Sequence, residues 1–240
     1  MRETVFTRFR EARGFSLIEM TVVLVVISLL VGSILVPLAT QVEERQVSDA
    51  EKTLEEIRDA LVGFVTVNGY LPCPDTGTNG TENISSGACT SPTSGIKCGR
   101  LPHGNLGLGT SDVWGNRFTY CVNELFARRS PSTPFTLSTA GNDVYICTTQ
   151  ACTTTISTTA VFAVVSHGKN GYGATNFNTG TQNTLATAAD EQENYDNNDR
   201  NIVYRTRTEI GTTAGEFDDI VVWVSRYTLF NRMVVAGKLP

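Results

Sequence analysis

From Phe15 to Leu38 the chain runs 24 residues with a single charge, Glu19. A helix rises 1.5 Å per residue, so this run would cover a hydrocarbon layer of roughly 30 Å, and it predicts a membrane-spanning helix. Beyond it the pattern changes but the period does not. Apolar residues recur at Val47, Ala50, Leu54, Ile57, Leu61 and Phe64, spaced 3, 4, 3, 4, 3. That is one stripe of an amphipathic helix, with the acids and bases of this stretch on its wet face. Gly69 and Pro72 end the pattern. Taken as one helix, Phe15 to Asn68 would be about 80 Å long, and Pro37 is the place where it can kink.

After "NGYLPCPD" the texture turns to Gly, Thr, Ser and Asn between short apolar runs. Residues 74–112 read as loops. Strands are predicted at Arg117–Val122, Val144–Thr148, Thr153–Ser157, Ala160–Ser166 and Ile220–Ser225. "SRYTLFNRMVVAG" reads as a closing helix, with Ser225 as its N-cap and Gly237 just past its end. The expected fold is α+β: a long N-terminal helix, membrane-spanning then amphipathic, packed on a small antiparallel sheet. The expected divisions are a leader (1–14), a membrane helix (15–38), a spine helix (39–69) and a β-rich head (70–240).

Charge sharpens this division. The leader holds Arg2, Arg8, Arg10 and Arg13 against Glu3 and Glu11, a net of +2. The formal charge of the whole is -5, so the remainder is acidic and lacks the basic footprint of a phosphate-tracking protein. No nucleic-acid partner is expected. A basic segment before the apolar run places the N-terminus in the cytoplasm and the head outside it.

Cys73, Cys89, Cys98, Cys121, Cys147 and Cys152 all lie beyond the apolar run. An even count on the outer side suggests disulfides in an oxidising compartment. Zinc would want CxxC pairs or neighbouring histidines, and His occurs only at 103 and 167. Of the 15 possible pairings, one bridge is readable: "VYICTTQACTTTI" looks like a hairpin that sets Cys147 opposite Cys152.

Glu19 is the anomaly of the apolar run, since an acid at bilayer depth costs on the order of 3 kcal/mol. In "RGFSLIEM" it is the fifth residue after Gly14. A short basic leader ending in Gly, then Phe, then an acid early in an uninterrupted apolar helix, resembles the processing site of type IV prepilins and type II secretion pseudopilins. The resemblance implies cleavage after Gly14 by a membrane aspartyl peptidase and methylation of the new N-terminus, Phe15. It gives Glu19 an assembly role, in which its carboxylate pairs with the Phe15 amine of a neighbouring subunit. Charges in so apolar a setting attract strongly, and removing either strands the other.

The head is more loosely similar. "SDVWGNRFTY" resembles a segment that opens a strand in major pseudopilins, and "SHGKNGYGATN" with "EFDDIVVWVS" resembles their late Gly-rich loop and Asp-bearing segment. The "LPCPD…GRLP…DVWGNRFTY" series is similar to Cys-bearing prepilin-type proteins. The head's length and its six cysteines depart from compact major subunits and favour a minor one. Asp196, Asp199, Asp218 and Asp219 sit in the late acidic runs, and oxygen ligands at that density suit Ca²⁺. Some pseudopilins hold calcium in late loops, although clustered acids also serve simply as a solvated surface. No GxSxG, HExxH or P-loop is present, and adjacent Ser166 and His167 would point to opposite faces of a strand, so no enzyme is expected.

The expected function is a minor pilin or pseudopilin, a filament subunit of a type IV pilus or a secretion pseudopilus. The alternative is a pilus-tip adhesin that grips a surface or a secreted substrate. Expected partners are prepilin peptidase, other pilin subunits and an inner-membrane assembly platform. The expected location is the inner membrane, with a periplasmic head, and then the filament.

Overall fold

The computed structural model describes residues 14–90, 95–196 and 199–239, and for residues 33–39 the backbone alone. The expected leader arginines and acids, up to Arg13, lie outside the described residues. The chain divides into two units, Met1–Arg45 and Gln46–Pro240.

Helix α1 runs from Leu17 to Asn68 and contributes to both units. In the first, its large apolar side chains are open, from Val23 at 47 % to Leu17 at 83 % exposed. Among the described residues no helix is long and apolar enough to cross a membrane. Within the run expected over 15–38, the described apolar side chains of α1 go from Leu17 to Val31, and the described stretch ends at Gly32. Those 16 residues make about 24 Å of helix, short of the roughly 30 Å of a hydrocarbon layer. The span expected over 15–38 therefore is not supplied by the described residues, because residues 33–39 would have to complete it.

In the second unit the amphipathic stripe behaves as its period dictates. Val47, Ala50, Leu54, Ile57, Leu61 and Val65 are all buried. The stripe closes on Val65 rather than Phe64, because a 3.6-residue turn drifts past a strict 3,4 alternation. Phe64 lies half-buried beside it, edge-on to Tyr70. Gly69, at φ 82°, takes the left-handed conformation that ends the helix.

Six strands form the main sheet: β1 (Ile96–Arg100), β2 (Thr119–Asn123), β3 (Val144–Cys147), β4 (Thr155–Ser166), β5 (Asn201–Val203) and β6 (Ile220–Ser225). β4 is its axis. It pairs antiparallel with β2, β3 and β6, and Ala160 meets Val144 and Ser225. β1 extends the sheet beyond β2, and β5 beyond β3. The sheet is thus larger than the small one expected, and it is mixed, since β3 and β5 run parallel.

β4 unites the two strands expected at Thr153–Ser157 and Ala160–Ser166, and alternation along its second half explains the apolar run over 160–165. Phe162 and Val164 join Leu54, Ile57, Leu61 and Val65 of α1 in one core, while Ala163 and Val165 join Ile96, Ile146 and Ile202 in the other. From Ala160 to Val165 both faces are covered, so neither is polar there, whereas residues 155–159 are a mostly polar and largely exposed stretch of the same strand. Two further helices matter for function, α2 (Ala189–Asp196) and α3 (Arg226–Val235). The Ser225 hydroxyl caps α3 by accepting from Thr228 N–H at 3.2 Å.

Candidate functional site

Gly14, Phe15 and Ser16 precede α1 in non-helical chain. Among the described residues nothing lies within 4 Å of a Cβ placed on Gly14, and Phe15 is 80 % exposed. The next residues form a reciprocal cap. The Ser16 hydroxyl accepts from Ile18 N–H at 3.3 Å, and Glu19 Oε2 accepts from Ser16 N–H at 2.9 Å. This is the Ser-x-x-Glu capping arrangement, in which two otherwise unpaired helix-start donors find acceptors. Glu19 therefore has a partner in its own chain.

All six cysteines are bridged: Cys73–Cys89, Cys98–Cys121 and Cys147–Cys152, with Cα separations of 5.3, 4.1 and 5.0 Å. Cys98 and Cys121 are register partners on β1 and β2. Cys147 and Cys152 are not opposite each other on a hairpin, as expected from the sequence. Cys147 faces Thr155 across the strands, and Cys152 lies in the connecting turn at φ 48°. The hairpin is offset by the extra turn residues, and the bridge spans the turn itself.

The late acids separate into two groups. Asp218 and Asp219 stand with Glu191 of α2, their ligand oxygens all within 4.8 Å of one another. Asp196 and Asp199 instead act on Glu193, whose carboxyl is raised to about 7 by burial and then by these two charges. The four expected ligands are thus not one site. Glu191 is the member that acidity alone did not single out. Helical spacing holds the signal: Glu191 and Asn194 are three apart and both buried, whereas Asp190 turns away to an ion pair with Arg205 at 2.7 Å.

The Glu191 cluster is held by a hydrogen-bonded frame. Glu191 Oε1 accepts from Asn170 Nδ2 at 2.9 Å and from Asp218 N–H at 3.1 Å. Asp218 Oδ2 accepts from Asn170 N–H, and Asp219 Oδ2 from Asn194 Nδ2 at 2.7 Å. Glu191 Oε2 and Asp218 Oδ1 are buried with no hydrogen-bond partner among the described residues. Burial pushes the Glu191 carboxyl up to about 7 and Asp218 up to about 6, and neighbouring carboxylates push both the same way. Three crowded carboxylates with two unpartnered oxygens fit a hard cation such as Ca²⁺, which takes oxygen ligands. Glu191, Asp218 and Asp219 are the residues that could hold it.

His167 is wholly buried behind this cluster, with Nε2 2.8 Å from Thr119 Oγ1 and Nδ1 3.6 Å from Asp219 Oδ1. Ser166 donates to Asp112 Oδ2 at 2.7 Å, a different partner on a different side. The order Asp219, His167, Thr119 has the sequence of an orienting acid, a base and a hydroxyl. Its acid–histidine distance exceeds a hydrogen bond, and the ring has no exposed surface to offer a substrate.

Residues 9–35 match the prokaryotic N-terminal methylation motif, the prepilin-type cleavage and methylation motif. The chain carries this motif over those residues. No curated protein and no solved structure matches the chain.

Proposed function

We propose that the chain is a minor pilin or pseudopilin, cut by prepilin peptidase after Gly14, methylated on Phe15 and built into a type IV pilus or a secretion pseudopilus. The observation that carries this reading is the methylation motif over residues 9–35, whose Gly14 and Phe15 stand just ahead of α1 with Phe15 exposed. The apolar run Phe15–Leu38 would hold the precursor in the inner membrane and then pack in the filament core. Its open apolar side chains support this, because so large a surface left in water would favour aggregation. The disulfide-bonded head would face the periplasm and then the outside of the filament, with other pilin subunits and an assembly platform as partners.

We read the head as a structural element and not as an enzyme, on the grounds that His167 is sealed in the core. Shearing filaments, or crosslinking and extracting the pseudopilus, from cells expressing the wild-type chain tests the subunit role. The chain should be recovered with the assembly at a low ratio to the main subunit. Recovery only in the membrane fraction, with assembly intact in a deletion strain, would count against it.

A further inference from the structure

Three segments meet around a cleft of about 510 Å³ in the head, within the range of about 300–1,000 Å³ usual for small-ligand sites. Residues 114–116 form the first wall. Asp112 Oδ1 accepts from Trp114 N–H at 3.0 Å and Asn116 N–H at 2.9 Å, which fixes the turn that carries the indole. The Gly-rich loop, residues 168–173, forms the second wall. Gly171 lies at φ 60°, and a Cβ there would come within 2.6 Å of Asn116 Nδ2, so only glycine lets the two walls close up. Residues 182–184 form the third. Asn183 Nδ2 donates to Asn116 Oδ1 and to Gly171 O, each at 2.9 Å, and ties all three walls together. The cleft is therefore preformed.

Its chemistry excludes most ligand classes. Among the described residues no carboxylate and no arginine line it, and Lys169 is its one charge, so neither a metal ion nor a multiply charged anion has a matching cradle. Amide and hydroxyl side chains around it exclude a purely apolar ligand. Asn183 uses both amide hydrogens in the walls, which leaves Oδ1 as an acceptor. Gln182 uses one, to Gly173 O at 3.1 Å, and keeps a donor and an acceptor. Trp114 and Tyr172 add aromatic surface, the latter with a polar tip. The Trp114 indole N–H is buried and finds no acceptor among the described residues, so Trp114 offers the cleft its ring surface and not a donor. A molecule whose hydroxyls both donate and accept, and whose C–H faces can lie on aromatic rings, matches this set.

We propose that the cleft between Trp114, Tyr172 and Gln182 binds a neutral saccharide unit. The site is independent of the filament role, since none of its residues lies in α1.

The test uses the full chain in an amine-oxide detergent, because sugar-headed detergents would compete. Glucose, galactose, mannose and N-acetylglucosamine are titrated by isothermal calorimetry and saturation-transfer NMR, with glycerol and glucuronate as controls. At least one sugar should saturate with a dissociation constant of about 1 mM, and the controls should not. Tyr172→Ala and Gln182→Ala should each weaken it at least about tenfold while keeping the melting midpoint. If Tyr172→Ala does not fold, Gln182→Ala, an exposed position, decides. Absence of saturation by all four sugars, equal binding of glycerol, or binding unchanged in the folded variants would overturn the proposal. Both variants should still enter the filament, so failure of the subunit reading would be seen separately.

Discussion

Glu19 Oε2 lies 2.9 Å from the backbone nitrogen of Ser16 and accepts its hydrogen. Cleavage after Gly14 would place a charged amine on Phe15, the residue next to that donor. The carboxylate caps α1, and on the proposed reading it would also neutralise the Phe15 amine of a neighbouring subunit after processing. Losing a cap costs about 1 kcal/mol, whereas an unpaired charge in an apolar core costs about 3–5 kcal/mol.

These uses separate under substitution. Glu19→Gln keeps an oxygen for Ser16 N–H and loses the charge; Glu19→Ala loses both. If charge pairing governs assembly, both variants should be processed and both should drop out of sheared filaments. Incorporation of Glu19→Gln at the wild-type level would assign the residue to capping alone.

The Glu191 cluster sets a pH dependence. Its carboxyl rises from an ordinary 4.5 to about 7 in the folded head. Between those values the folded chain keeps a proton that the unfolded chain has released, so stability falls as pH rises. The loss is on the order of 3 kcal/mol across that window. Both tryptophans, Trp114 and Trp223, lie in the head, so urea unfolding followed by their fluorescence reports it. Glu191→Gln should make the curve shallower, with the remaining slope carried by Glu193 and Asp218.

Calcium should act in the opposite direction on the same carboxylates. Above pH 7, calcium at 100 times its dissociation constant should raise stability by about 2.7 kcal/mol. The gain should vanish in Glu191→Gln and persist in Asp199→Asn, since Asp199 belongs to the Glu193 group. A midpoint that chelator leaves unchanged would return these acids to a purely structural role.

The three bridges should differ in weight. Loops of 5, 16 and 23 residues imply about 2, 3 and 3.5 kcal/mol from chain entropy alone. Removing Cys147–Cys152 should therefore be the mildest of the three paired Cys→Ser changes. Leu61→Ala, which deletes a fully buried side chain facing the sheet, should cost about 2–5 kcal/mol by the same unfolding assay.

What could be read from the residues was what local periodicity controls. The α1 stripe, the edges of β6 and the Ser225 cap follow from neighbours within a turn or two. β1 was hidden because "IKCGR" carries Lys97 and Gly99 in a strand covered by other segments. β5 is three residues long and exists through its parallel pairing with β3, a contact between distant parts of the chain. The same holds for the sites. Glu19 announces itself as a charge in an apolar run. Glu191 becomes distinct from Asp190 only when α2 turns one carboxylate toward Asp218 and the other toward Arg205.

The central claim, that this is a processed prepilin-like subunit, rests on one peptide bond. Mass spectrometry of the N-terminal peptide, from membranes of cells with active prepilin peptidase, reads it directly. The account requires a peptide that begins at Phe15 and carries a methyl group on its α-amine. A peptide that retains the leader, or one that begins beyond the apolar run, would contradict it.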